Sequence, residues 1–263
     1  MPSFLEAVES KNQLIAVWSR LTGEQGGIVD LDDGVHRMWV DSPFGFWNTV
    51  TLTDADIPAE ALKDQLGRAA DFMRGRTRAG YLWIFEDLLT PDAQRELLPA
   101  AAAAGLELAF SGRGMAGDID IPDVTHPELE IRRVQSEDDL IAYGEINAYA
   151  YGMPPGAGRV AVAGSRLWRD AFAYIGYRDG RPVTCAATVA GPDSLFLALV
   201  ATLPDQMRRG YGEAVTRKAI HQSIAQTGHH RVVLHATEVG RPVYERIGCT
   251  TNSPIHFFHL AQA

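Results

Sequence analysis

Leu203-Pro204-Asp205-Gln206-Met207-Arg208-Arg209-Gly210-Tyr211-Gly212-Glu213-Ala214 is the stretch from which the rest of the chain is read. An apolar run at residues 195–200 precedes it and reads as a buried strand. Residues 215–225 follow, with apolar side chains at helical spacing. The order is therefore strand, glycine-containing turn with two arginines, helix. Such a turn suits phosphate. The first N–H groups of a helix lack an intrahelical acceptor and carry a partial positive charge. Gly210 and Gly212 have no Cβ, so their backbone can come close to an anion. Arg208 and Arg209 add positive charge. Taken alone, a Gly-x-Gly before a helix is also compatible with a purely structural turn. A Walker loop is excluded, because no Gly-x-x-x-x-Gly-Lys-Ser/Thr run occurs. Val215 stands where a dinucleotide fingerprint needs its third glycine.

A second segment belongs with the first. Arg231-Val232-Val233-Leu234-His235 reads as a short strand. Downstream of it comes Val239-Gly240-Arg241-Pro242-Val243-Tyr244-Glu245-Arg246-Ile247-Gly248-Cys249. Together the two resemble the GNAT superfamily of N-acetyltransferases. Its pyrophosphate loop, Arg/Gln-x-x-Gly-x-Gly/Ala, follows a strand ending near a proline. Pro204, Arg208, Arg209, Gly210 and Gly212 fit that pattern, whereas Met207 departs from its first position. The family's Tyr-x-x-x-Gly-Phe is matched by Tyr244 and Gly248, with Cys249 in place of Phe. The resemblance implies a coenzyme A site that includes Val200, Ala201 and Thr202 along the pantetheine. It implies Met207, Arg208, Arg209, Gly210, Tyr211 and Gly212 around the pyrophosphate. It also implies Tyr244 as the acid that protonates the departing thiolate, since a phenol keeps its proton at neutral pH. Tyr244 can also be read as a core aromatic.

Composition sets outer limits. With 263 residues, 46% hydrophobic and 22% charged, the chain reads as a globular protein of two domains. A net charge of -9 and a pI near 5.3 argue against nucleic acid or an anionic membrane as partner, and are compatible with a cationic amine. Cys185 and Cys249 form no disulfide framework, so a reducing cytoplasm is expected. No metal-ligand spacing is present and no metal is expected. The first residues lack a secretory pattern. No apolar stretch approaches the roughly 20 residues of a membrane helix.

The expected fold class is α/β with a mixed sheet, the GNAT fold in two tandem copies. A Pro- and Asp-rich stretch at residues 117–128 reads as an exposed linker. It divides a degenerate GNAT-like domain, 1–125, from a catalytic domain, 126–263. After it come a strand at 129–134 and a helix capped by Ser136. A hairpin with its turn at Asp179-Gly180 follows, then the long strand, helix, strand, helix, and a last strand at 255–260. In the first half, residues 34–40 and 46–52 read as paired strands. Residues 59–74 and 92–104 read as helices, the second closed by Gly105. Residues 81–85 and 106–110 read as strands. Arg74-Gly75-Arg76 is its nearest approach to the phosphate motif, but it follows a helix. The first half is therefore expected not to bind coenzyme A, and to pack on the second; an unrelated α+β domain is the alternative.

The resemblance implies acetyl transfer from acetyl-CoA to a primary amine of a small-molecule acceptor, by direct attack. A homodimer is allowed. No acid lies within the strand Leu195-Phe196-Leu197-Ala198-Leu199-Val200, so Glu238, His235 and Asp193 are the candidate bases, with a water chain as the alternative. Glu213 is expected to favour the helix N-terminus rather than to act in catalysis. Tyr143, Asn147, Tyr149, Tyr151, Met153 and Trp168, broken by Pro154-Pro155-Gly156, are candidates for the acceptor pocket or, equally, for core. Two competing readings remain. A coenzyme A-binding regulatory pseudoenzyme would bind without turnover. An unrelated α/β domain with a structural turn would not bind.

Overall fold

The structure is a computed structural model and describes residues 2–261. Met1 and residues 262–263, the outermost positions of the two expected domains, lie outside the described residues. The chain begins with α1 (Pro2–Glu24), β1 (Ile28–Asp32), β2 (Val35–Trp39), β3 (Asn48–Leu52), α2 (Ala59–Arg74), β4 (Tyr81–Phe85), α3 (Pro91–Ala103) and β5 (Leu106–Asp118). It continues with β6 (Glu130–Arg133), α4 (Glu137–Ala150), α5 (Pro155–Val162), α6 (Leu167–Asp170), β7 (Phe172–Arg178) and β8 (Arg181–Ala190). β9 (Leu195–Thr202), α7 (Tyr211–Thr227), β10 (Arg231–Thr237), α8 (Arg241–Ile247) and β11 (Thr250–Leu260) complete it.

Local chemistry accounts for the limits of these elements. Ser136 Oγ accepts the Asp139 N–H at 3.1 Å, and the Asp139 carboxylate accepts the Ser136 N–H at 3.0 Å. This reciprocal pair fixes the start of α4. Thr90 caps α3 and Pro91 opens it, where a missing N–H costs nothing. Asp179 and Gly180 both have positive φ, the backbone of a primed turn, and join β7 to β8. The sequence reading did not anticipate α1. Its buried Ala7, Leu14, Val17, Trp18 and Leu21 fall at i, i+7, i+10, i+11 and i+14, the positions of one helical face.

The chain forms two compact units: Met1–Gly114 with Ala236–Glu238 and Thr251–Ala263, and Met115–His235 with Val239–Thr250. In the first, the strands run β1-β2-β3-β4-β11-β5. β3 and β4 are parallel, whereas β1–β2, β2–β3 and β4–β11 are antiparallel. Val50, Leu62, Leu66, Leu82, Ile84, Leu97 and Phe258 form its core with α2 and α3. Each such side chain contributes about 1.5–3 kcal/mol on burial.

In the second unit the order is β5-β10-β9-β8-β7-β6, with β9 and β10 parallel. α7 and α4 pack on its strands, burying Val215, Ala219 and Ile220 from α7 and Tyr143 and Ile146 from α4. In each unit, the strand beside the parallel pair comes from the other half of the chain. β11 lies next to β4, and the end of β5 lies next to β10. The units therefore differ from a division at residues 125 and 126. Residues 115–125 group with the second unit, and the last strand groups with the first.

The stretch read as an exposed linker is corrected by the structure. β5 runs through Gly117 and Asp118, and Ile119 and Ile121 are buried. Asp123 pairs with Lys218 on α7 at 2.7 Å. The carbonyls of Ile121 and Ile119 engage ring nitrogens of His221 and His230. Apolar residues between the acids and prolines tie the segment down. Among the described residues, no helix is long and apolar enough to cross a membrane.

Candidate functional site

The parallel pairing of the second unit ends part-way along β9. β9 pairs with β10 at Leu195, Phe196 and Leu197. Two residues later, Leu199 has φ +50°, a conformation a leucine rarely adopts. On the other side, the register to β8 shifts there: Ala198 faces Ala187, whereas Ala201 faces Cys185. This is a β-bulge, and it turns the end of β9 out of the regular ladder. α4 supports it from below. The fully buried Tyr143 donates its hydroxyl to the Leu199 carbonyl at 3.0 Å. Asn147 donates to the Tyr143 carbonyl at 3.0 Å and to the Cys185 sulfur at 3.2 Å. Burial pushes the Tyr143 phenol well above its ordinary range, with Cys185 adding to it, so it remains a donor. Val200, Ala201 and Thr202 follow the bulge directly.

The glycine turn starts where β9 ends. Arg208 has φ +59° and Gly210, the residue capping α7, φ +81°. Backbone of this kind gathers N–H groups into a concave anion site. Gly210 accepts the Ala214 N–H at 3.0 Å through its carbonyl. The amides of Tyr211, Gly212 and Glu213 fall in the first turn of α7, where no intrahelical acceptor precedes them. A Cβ on Gly212 would stand 3.0 Å from Thr202 Oγ1, so turn and strand end meet over a missing side chain. Met207, Arg208 and Arg209 are exposed, and neither arginine is committed to an ion pair among the described residues.

The turn is braced from the segment misread as a linker. His126 Nδ1 accepts the Glu128 N–H at 3.2 Å, which leaves Nε2 to donate to the Arg209 carbonyl at 3.2 Å. The Tyr211 hydroxyl donates to the Glu128 carboxylate at 2.7 Å, and its ring packs edge-on against His126. That hydrogen bond, with Arg178 and Arg209 nearby, holds the Glu128 carboxyl below its ordinary range. Of Tyr211, therefore, the amide stands in the turn while the side chain is buried and engaged. Nothing in the spacing of His126 and Glu128 marks them from sequence; the fold brings them together.

Tyr244 lies on α8. It is 8% exposed, and among the described residues its hydroxyl makes no hydrogen bond. Burial, with Tyr151 and Cys249 adding to it, pushes its phenol well above the ordinary range. Gly248 ends α8 at φ +114°, which a residue with a Cβ resists. Glu213 does more than favour the α7 N-terminus. Its carboxylate accepts from Arg217 at 3.0 Å and from Arg246 of α8 at 2.8 Å, and Arg217 also donates to the Arg246 carbonyl. Burial raises the Glu213 carboxyl, but the two arginines outweigh it and leave it lowered. The turn's helix and the tyrosine's helix are thereby tied together.

The candidate bases scatter. Asp193 is exposed in the bend before β9, about 20 Å of extended chain from the bulge at Leu199 and farther still from the turn. His235 follows the last β10 residue paired with β9 and packs its ring against Phe196, with centroids 5.2 Å apart. Glu238 belongs to the first unit and pairs with Arg113 at 3.0 Å. Of the candidate pocket residues, Tyr143, Asn147 and Trp168 are buried, whereas Tyr149 and Tyr151 are exposed.

Solved structures share the fold that carries this strand and turn. The fold is that of the GNAT acetyltransferases. A GCN5-related N-acetyltransferase from Kribbella flavida is 17% identical, with a TM-score of 0.69 over 97% of this chain and 95% of that one. A GCN5-related N-acetyltransferase from Sphaerobacter thermophilus is 12% identical, with a TM-score of 0.61 over 86% and 76%. A tandem GNAT protein from the clavulanic acid biosynthesis pathway is 11% identical, with a TM-score of 0.53 over 80% and 74%. Residues 174–254 match the model of a family described as FR47-like protein. No curated protein matches the chain.

Proposed function

We propose that the second unit is an N-acetyltransferase that moves the acetyl group of acetyl-CoA to a primary amine of a small-molecule acceptor. The observation that carries this reading is the bulge at Leu199 with the glycine turn at the end of the same strand. The bulge turns the end of β9 out of the regular ladder, and the turn offers first-turn amides and two exposed arginines that form no ion pair among the described residues. The residues present fit coenzyme A. Gly212 leaves open the space a Cβ would fill against Thr202, and positive φ at Arg208 and Gly210 shapes the anion cradle.

In this reading Arg208, Arg209, Gly210, Tyr211 and Gly212 hold the pyrophosphate, the last three through their amides, with Met207 at the entrance. Val200, Ala201 and Thr202 run along the pantetheine. The thioester supplies an activated acyl carbon. The acceptor nitrogen bonds to that carbon as its bond to sulfur breaks. Tyr244 gives its proton to the sulfur and regains one from solvent; the amine's surplus proton leaves to water, since β9 carries no carboxylate. Tyr244 suits the acid role because burial keeps it protonated and its hydroxyl is unengaged. We place the reaction in the cytoplasm, with neither nucleic acid nor membrane as partner. Isothermal titration with acetyl-CoA, beside Gly210→Glu, tests the site. Binding by the native protein alone supports it, and equal affinity in the variant overturns it.

A further inference from the structure

The first unit holds a second chemical arrangement, separate from the one above. Ser111 on β5, His256 on β11 and Glu86 just after β4 lie in one hydrogen-bonded line. Ser111 Oγ is 2.9 Å from His256 Nδ1, and His256 Nε2 is 2.5 Å from a Glu86 carboxylate oxygen. The carboxylate can only accept, so it fixes the imidazole proton on Nε2. Nδ1 is then left with its lone pair toward the serine hydroxyl. Hydroxyl, base and orienting carboxylate in that order are what activates a serine, whichever ring nitrogen serves as base. Exposure agrees with the roles. Ser111 is exposed, whereas the side chains of His256 and Glu86 are 17% and 33% exposed. Arg113, two residues along β5 and so on the same face, brings a positive charge beside the serine. It is held there by Glu238 at 3.0 Å.

We propose that Ser111 is an activated nucleophile that accepts acyl groups from small esters. Its Oγ bonds to the ester carbonyl carbon while its proton passes to His256 Nδ1. Arg113, on the same face of β5, is the cation available to the oxygen that gains charge. The carbon–alkoxide bond then breaks, and the departing alcohol takes the proton from Nδ1. Water repeats the sequence on the acyl-serine and releases the carboxylic acid, so the balance is ester plus water to acid plus alcohol.

The test uses the full-length protein with a fluorophosphonate probe, whose fluoride a nucleophilic serine displaces, and with p-nitrophenyl acetate. One adduct, mapped by peptide mass spectrometry to Ser111 and absent from Ser111→Ala, is expected. Labelling and nitrophenol release should fall at least about tenfold in the near-isosteric Glu86→Gln, which keeps the fold but loses the fixed tautomer. Unchanged acetyl-CoA affinity in both variants would mark the effect as local. No adduct at Ser111 overturns the proposal, as does labelling at an undiminished rate in Glu86→Gln.

Discussion

Two crossovers in this chain share a topology and differ in every feature that matters to phosphate. In each, a strand leads through a turn into a helix and then to a parallel strand: β3, α2 and β4 in the first unit, β9, α7 and β10 in the second. β9 breaks at Leu199, whereas β3 is buried at all five residues and closes on β4, with Thr51 Oγ1 donating to the Trp83 carbonyl at 2.9 Å. The second turn reads Arg208-Arg209-Gly210-Tyr211-Gly212. The first reads Thr53-Asp54-Ala55-Asp56-Ile57-Pro58. Two carboxylates repel an anion, and Pro58 at the cap of α2 lacks an N–H. Asp54 is already used by Gln65 at 2.7 Å, and the buried Lys11 ammonium bonds the Thr53 carbonyl. In the proposed reading, the same architecture serves as a binding site or a packed wall according to a few turn residues and one bulge.

Charge placed in the two turns should separate them most sharply. Gly212→Glu adds bulk against Thr202 and a negative charge at the helix N-terminus. Acetyl-CoA affinity should fall at least about 100-fold, or ~2.7 kcal/mol, by isothermal titration. Ala55→Glu, in the exposed turn of the first unit, should leave affinity unchanged. Equal losses in both variants would break the contrast.

The helix after each second parallel strand gives the next contrast. α8 carries Tyr244, whereas α3 has no tyrosine. Tyr244→Phe should lower kcat about 100-fold, within the span for a general acid, and leave acetyl-CoA affinity within twofold. Retained turnover would return Tyr244 to the role of a core aromatic.

The sequence exposed these contrasts unevenly. Gly210, Gly212 and Tyr244 carry their chemistry in residue type, and α2 and β4 emerge at the limits their periodicity predicts. Leu199 offers no such sign, because its positive φ comes from the tertiary support of Tyr143 and Cys185 rather than from leucine itself. His126 meets the turn 83 residues away, and His256 meets Glu86 across 170. Spacing along the chain cannot show such meetings. The exchange of β5 and β11 between halves is likewise a matter of pairing, which hydrophobic pattern does not encode.

The supports of the two strands differ in consequence as well. Tyr143→Phe removes the donor to the buried Leu199 carbonyl and should cost about 1–3 kcal/mol in denaturant unfolding, with weaker acetyl-CoA binding. Thr51→Val removes the bond that closes β3 on β4 and should cost about 1 kcal/mol with binding intact. If Tyr143→Phe binds as well as the native protein, the bulge is not held by that hydroxyl.

Alkaline pH gives the smallest effect for each group involved. Seven of the eight tyrosines lie in the second unit, whereas four of the five tryptophans lie in the first. Burial raises the Tyr143 and Tyr244 phenols, so the folded chain keeps protons that the unfolded chain gives up near pH 10. Their contribution is complete below about pH 10 and declines as pH rises above it, by less than about 1 kcal/mol for each phenol at pH 10.5. The buried Cys185 thiol, raised in the same way, declines from lower pH. The first unit contains one raised phenol, Tyr81. Hydrogen exchange read peptide by peptide between about pH 9 and 10.5, corrected for intrinsic rates, should therefore show α4, β8 and α8 losing protection before α2 and β4. Tryptophan fluorescence, which reports chiefly on the first unit, should lag. In Tyr143→Phe the steeper loss in the second unit should diminish, because one proton fewer is released on unfolding. Parallel loss in both units, with the same slope in the variant, would mean that these phenols do not set the difference.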